Sequence, residues 1–282
     1  MQGLSYFIPT STKVAYLNQL LQVGFDTLDF GSFVSPKAIP QMRDTSEVLA
    51  GLDLTKTHTK LLAIIANLRG AEQAVAYREI TYLGFPLSVS ETFQQRNTNQ
   101  SIAEALQEVA RMQELCVKND KTLVVYLSMG FGNPYGEPYS PATVVDFTGQ
   151  LFNLGIRIIA PSDTVGSSTP ESIQALFGQL IPAFPDVEFG AHLHAVPGEA
   201  EAKVHAAYTG GCRRFDGAIR GFGGCPMAKD DLTGNIPTEK ILSALDSRQI
   251  TIALDRTAFQ TAWQAAEKVF EAPPRPSPSG RE

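Results

Sequence analysis

Residues 101–130, SIAEALQEVARMQELCVKNDKTLVVYLSMG, contain the change of period that decides the fold. Ser101 followed by Glu104 is the capping-box signature of a helix start. Beyond it, apolar positions recur three and four apart as far as Asn119, the spacing of one buried helix face. From Lys121 the pattern changes to a short, continuous, β-branched run, which reads as a strand buried on both faces. A helix followed at once by such a strand is half of a βαβ repeat.

Six more runs of the same kind flank this one: FDTLDFG from Phe25, TKLLAIIAN from Thr59, EITYLGFPLSVS from Glu79, GIRIIAPSD from Gly155, VEFGAHLHA from Val187 and CRRFDGAIRG from Cys212. Helix-like stretches separate them, so the chain reads as βα units around a parallel sheet. A closed (β/α)8 TIM barrel has eight strands in about 250 residues. The opening MQGLSYFIPTSTKVAYLNQLLQVG reads as a loop and then a helix from Ser11 or Thr12, with Val14, Leu17, Leu20 and Leu21 on one face. That is the second half of a βα unit, so the expected fold is α/β, a TIM barrel whose first strand is missing from this chain. An open doubly wound sheet fits less well, because GFGNPYG at Gly130 lacks the GxGxxG spacing. Residues 1–270 are expected to form the barrel domain, and the Pro- and Ser-rich residues 271–282 a disordered tail.

Composition narrows the partners. A net charge of −6 argues against nucleic acid, which needs clustered Lys and Arg. No apolar stretch approaches the roughly 20 residues that span a bilayer, and the first residues lack the pattern of a signal peptide. A cytoplasmic location is expected. Cys116, Cys212 and Cys225 have no CxxC spacing and are read as reduced thiols.

In parallel barrels the reactive groups come from the C-terminal strand ends. Here those ends carry Asp29, Ser88 to Glu91, Ser128, Asp163, His192 with His194, and Arg220. Residues two apart on a strand share a face, so His192 and His194 can both point into the barrel mouth and hold two corners of a divalent cation. His58 and His205 read as surface or helix-packing residues. Asp163 is a strand-end carboxylate, serving either an active site or a local turn. RGFGGCPMAKDDLTGN, residues 220–235, puts Cys225 on a Gly-rich segment that could bring a thiol over a substrate.

DFGSFVSPKAIPQM (29–42), SDTVG (162–166), AHLH and GFGGCP, in this order, resemble 3-hydroxy-3-methylglutaryl-CoA lyase of the DRE-type metallolyase superfamily, over residues 1 to about 245. The resemblance implies a TIM barrel that uses Mg²⁺ or Mn²⁺ to cleave an acyl-CoA thioester, 3-hydroxy-3-methylglutaryl-CoA, to acetyl-CoA and acetoacetate, commonly as a homodimer. It makes His192, His194 and Asn235 metal ligands, Cys225 the mobile thiol, Asp163 an acid/base or orienting carboxylate, Asp29 a further catalytic carboxylate, and Gln2 and Ser35 substrate contacts. Three departures stand out. Met1 and Gln2 match the end of a family motif whose Arg-Asp pair would lie before residue 1, Asp29 replaces the commoner Glu, and the Cys loop is one residue longer before TGN.

The expected reaction is a retro-Claisen cleavage, impaired in this short form by loss of the Arg-Asp pair. Two other readings are a related aldolase or acyl-CoA condensing enzyme, which the HxH pair alone would permit, and a non-catalytic barrel that acts as a binding protein.

Overall fold

The computed structural model describes residues 1–196, 198–223 and 234–271. Helix α1 (Thr10–Leu21) precedes strand β1 (Thr27–Ser32). There follow α2 (Thr45–Ala50), β2 (Lys60–Ile64), α3 (Leu68–Val75), β3 (Ile80–Ser88), α4 (Glu91–Thr98), α5 (Ile102–Lys118), β4 (Thr122–Ser128), α6 (Pro141–Asn153), β5 (Ile158–Pro161) and α7 (Pro170–Ala183). The remainder comprises β6 (Glu188–Ala191), β7 (His194–Ala195), α8 (Ala200–Thr209), β8 (Arg214–Phe215), β9 (Gly234–Asn235), α9 (Thr238–Ser247) and α10 (Arg256–Val269). The expected disordered tail lies outside the described residues from 272 onward.

Local chemistry explains why the helices begin where they do. The capping box on α5 forms as the sequence predicts, with the Ser101 side chain accepting from the Glu104 N–H and Glu104 accepting from the Ser101 N–H. Ser140-Pro141 and Thr169-Pro170 start α6 and α7 in the same spirit: a hydroxyl caps the free N–H groups and a proline, which has none to lose, takes the first turn.

Seven strands pair in parallel in the order β1-β2-β3-β4-β5-β6-β8, and a separate two-stranded antiparallel ribbon joins β7 to β9. The sheet has two apolar faces. The larger core lies between sheet and helices, with Leu61, Ala63, Leu83, Phe85, Val125 and Leu127 among its strand residues. A smaller cluster of Leu62, Tyr82, Val124 and Ile158 covers the other face, joined by Ile64 and Tyr126. Gly84 leaves room there, because a side chain would strike Ile64, Tyr126 and Leu62 within 3.1 Å.

This second face is concave. The Arg214 guanidinium of β8 sits 5.6 Å from the Tyr82 ring of β3, four places away in the strand order. Flat strands four places apart would lie roughly 19 Å apart, beyond the reach of one arginine. The sheet is therefore curled into a part-barrel of the TIM type, with β1 and β8 as its edges. Among the described residues no strand pairs with the outer edge of either.

Two expected strands differ in detail. VEFGAHLHA is not one strand: β6 stops at Ala191, His192 makes an isolated bridge to Ser162, and His194 leaves the sheet to pair with Asn235. CRRFDGAIRG contributes only Arg214–Phe215, after which Ala218 bridges Pro237 instead. Among the described residues no helix is long and apolar enough to cross a membrane.

Candidate active site

The imidazole pair sits where β6 breaks away. The His192 carbonyl accepts the Asp163 N–H at 2.9 Å, Leu193 turns into the core, and β9 takes up His194. The two ring centroids lie 5.7 Å apart, and His192 packs edge-on against Tyr126 of the inner cluster at 5.2 Å. The period-two geometry survives the break, and both rings share one region of the mouth.

Each ring is held by its Nδ1. That of His194 lies 3.1 Å from the Thr164 carbonyl oxygen, which can only accept, so Nδ1 carries the proton and Nε2 keeps its lone pair. That of His192 lies 3.2 Å from Asp216 Oδ2, an arrangement that favours the same tautomer. Burial, reinforced by the neighbouring His192, pushes the His194 pKa down to about 4, so near neutrality it is the uncharged base that a metal requires. The Asn235 side chain hydrogen-bonds to His194.

Asp163 closes β5 and is sealed in. Its Oδ1 accepts the Ser168 N–H at 3.1 Å; its Oδ2 accepts the Ser168 hydroxyl and the Lys203 ammonium, the latter at 3.0 Å. Both members of the Asp163–Lys203 ion pair are 1% exposed.

Asp29 has a different setting. It is paired in register with Leu62, so its side chain lies on the concave face, and it remains open to solvent. Crowding by the surrounding protein nevertheless desolvates its carboxyl and pushes its pKa up to about 7; the N-terminal ammonium and His192 oppose the rise, and Asp216 adds to it. The opposite edges of the sheet thus face one another across the mouth.

Ser35 is exposed in the loop after β1, where its hydroxyl accepts the Lys37 N–H at 3.3 Å, and Gln2 is half-buried. Among the described residues no hydrogen bond joins either to the imidazoles. Arg220 is turned away: it stacks 3.8 Å from the Trp263 ring and pairs with Glu267. Cys225 lies outside the described residues.

Among those described, no three of His, Cys, Asp and Glu gather closely enough to enclose a metal ion by themselves. The donor chemistry of His192, His194 and Asn235 nevertheless suits a divalent cation: two imidazoles with locked Nδ1 atoms, beside an amide.

Sequence reasoning missed Asp216, Thr164 and Lys203. Asp216 was within reach, since it directly follows the last strand residues, where barrel chemistry concentrates. Lys203 gave no such signal, because a lysine in a helix ordinarily reads as solvated.

Known proteins give the site its context. The HMGL-like family model matches residues 1–269. Hydroxymethylglutaryl-CoA lyase YngG of Bacillus subtilis is 32% identical over 93% of this chain and 88% of its own length. The 3-hydroxy-3-isohexenylglutaryl-CoA/hydroxymethylglutaryl-CoA lyase of Pseudomonas aeruginosa is 30% identical over 91% of this chain and 85% of its own. An HMG-CoA lyase from Acinetobacter baumannii, solved in complex with coenzyme A and 3-methylmalate, superposes with a TM-score of 0.87 at 30% identity, covering 95% of this chain and 87% of that one.

Proposed function

The chain belongs to the HMGL-like family, and from that premise we propose that it is a carbon–carbon lyase cleaving 3-hydroxy-3-methylglutaryl-CoA to acetyl-CoA and acetoacetate. The observation that carries this reading is the imidazole pair at the barrel mouth, with each Nδ1 held by an acceptor and His194 neutral near pH 7.

His192, His194 and Asn235 would hold Mg²⁺ or Mn²⁺; a bound divalent cation acidifies a tertiary alcohol and orients it for bond cleavage. Asp29 is the proton acceptor in this reading, because it faces the mouth, keeps solvent access and has a carboxyl pushed up to about 7. It takes the alcohol proton as the carbonyl forms and the adjacent carbon–carbon bond breaks. The electron pair passes to the thioester enolate, whose carbon then takes a proton from the Cys225 thiol. Asp163 orients the site and makes no contact with the reacting atoms. Gln2 and Ser35 serve as substrate contacts, and the enzyme works as a cytoplasmic homodimer.

A coupled assay for acetyl-CoA and acetoacetate, run with and without EDTA, tests the reading. We expect stoichiometric release of both products that ceases on chelation and returns with Mg²⁺ or Mn²⁺. No cleavage in saturating metal, or a preference for a 2-oxo acid, would overturn it.

A further inference from the structure

We propose that Lys203 is a positioning residue for the imidazole pair, and that Asp163 serves as its ion-pair partner and exchanges no proton with substrate. Helix α8 otherwise buries Ala200, Val204, Ala206 and Ala207, so Lys203 is a charge set into an apolar face. Removing an ammonium and a carboxylate from water is costly, and a hydrophobic residue would fill the same space without that cost.

The hydrogen bonds show what the lysine does there. Its three N–H donors meet three acceptors: Asp163 Oδ2 at 3.0 Å, the His194 carbonyl at 2.9 Å and the Gly166 carbonyl at 3.3 Å. One ammonium thus ties α8 to the turn after β5 and to β7. That turn supplies the Thr164 carbonyl that holds His194 Nδ1, so ring and backbone of His194 are fixed through one network. With Ser168 on both its oxygens and Lys203 on one, Asp163 is already engaged within the protein.

The activity arm of the test rests on the lyase reading; the spectroscopic arm does not. Three variants of the full chain serve: Lys203→Met, Asp163→Asn, and the double Asp163→Asn/Lys203→Gln, in which two neutral amides can hydrogen-bond where the ions did. With only four histidines in the chain, long-range ¹H–¹⁵N spectra can follow the Nδ1-protonated ring of His194. In Lys203→Met we expect that signature to be lost and Mn²⁺ binding to weaken by about 10- to 100-fold.

The double variant should recover the signature and keep kcat within about tenfold of the parent. If it shows a normal His194 ring and normal Mn²⁺ affinity but a kcat lower by about 10² or more, Asp163 itself moves the proton and the proposal fails. An unchanged His194 signature in Lys203→Met would overturn the positioning role. Should Lys203→Met not fold, Asp163→Asn carries the same test, since it strips the ammonium of its carboxylate partner: a weakened His194 signature is expected, and an unchanged one would overturn the positioning role. A parent that cleaves no thioester refutes the lyase reading alone, and the ring signature still decides for or against Lys203.

Discussion

Two quarters of the same barrel mouth have been built on opposite principles. Around β5 to β7, Asp163, Lys203 and the Nδ1 atoms of both imidazoles have partners, and Asp163 and Lys203 are sealed from solvent. Across the mouth, Asp29 stands on an edge strand, open to water, with Asp216 close enough to raise its pKa further. Desolvation acts on both sides and favours the neutral form in each, taking His194 down to about 4 and Asp29 up to about 7. The difference lies in what surrounds the group: the first quarter holds an electron pair in a fixed direction, while the second leaves a carboxyl free to exchange a proton.

The comparison breaks most visibly at His194. His194→Ala removes the best-locked lone pair of the site, and we expect thioester cleavage to fall by about 10³ or more and saturable Mn²⁺ binding to vanish in calorimetry. Retention of both would mean that the fixed quarter does not hold the cation. Asp29→Asn should spare Mn²⁺ affinity to within a few fold while lowering kcat by about 10² to 10⁴, the range for losing a general base. Coupled loss of metal affinity and kcat would merge the two quarters into one.

Stability against pH separates the same groups with opposite signs. His194 has a folded-state pKa below its unfolded value, so its contribution is present above about 6.5 and is lost as pH falls toward 4, on the order of 2 to 3 kcal/mol. Asp29 has a folded-state pKa above its unfolded value, so its contribution is present at low pH and is lost as pH rises through about 7. Its solvent access makes that effect the smaller. Urea midpoints between pH 4.5 and 8 should therefore fall less steeply on acidification in His194→Gln than in the parent, and more steeply in Asp29→Asn. Parallel curves for all three chains would show that neither group is perturbed by folding.

The scaffold was more legible in the sequence than the mouth. All seven apolar runs contain strands of the sheet, since a run buried on both faces advertises itself by composition alone. The last two runs form strand only in part, over Glu188–Ala191 and Arg214–Phe215. After Asp216 the chain departs at Gly217, where a side chain would strike Ile241 at 2.6 Å, and that collision depends on α9, far along the chain. In the site, period two located His192 and His194, and strand-end position located Asp29 and Asp163. Their supporting partners were hidden because burial of Lys203 and the approach of Thr164 to His194 are tertiary outcomes with no local pattern.

Away from the mouth, the capping box that first betrayed the fold gives the smallest effect and the cleanest boundary. The Ser101 hydroxyl accepts the Glu104 N–H at 3.2 Å, and Glu104 accepts the Ser101 N–H at 2.8 Å, both in an exposed setting. Ser101→Ala removes the hydroxyl from this reciprocal pair and should cost about 1 kcal/mol, read as a melting temperature lower by about 2 °C in a chain of this size. Helix α5 packs behind β3 and β4, on the side of the sheet opposite His192, so kcat and Mn²⁺ affinity should stay at parental values. If the imidazole signature of His194 moves in Ser101→Ala, order in the fixed quarter is drawn from the whole barrel, and the local network around Lys203 does not set it alone.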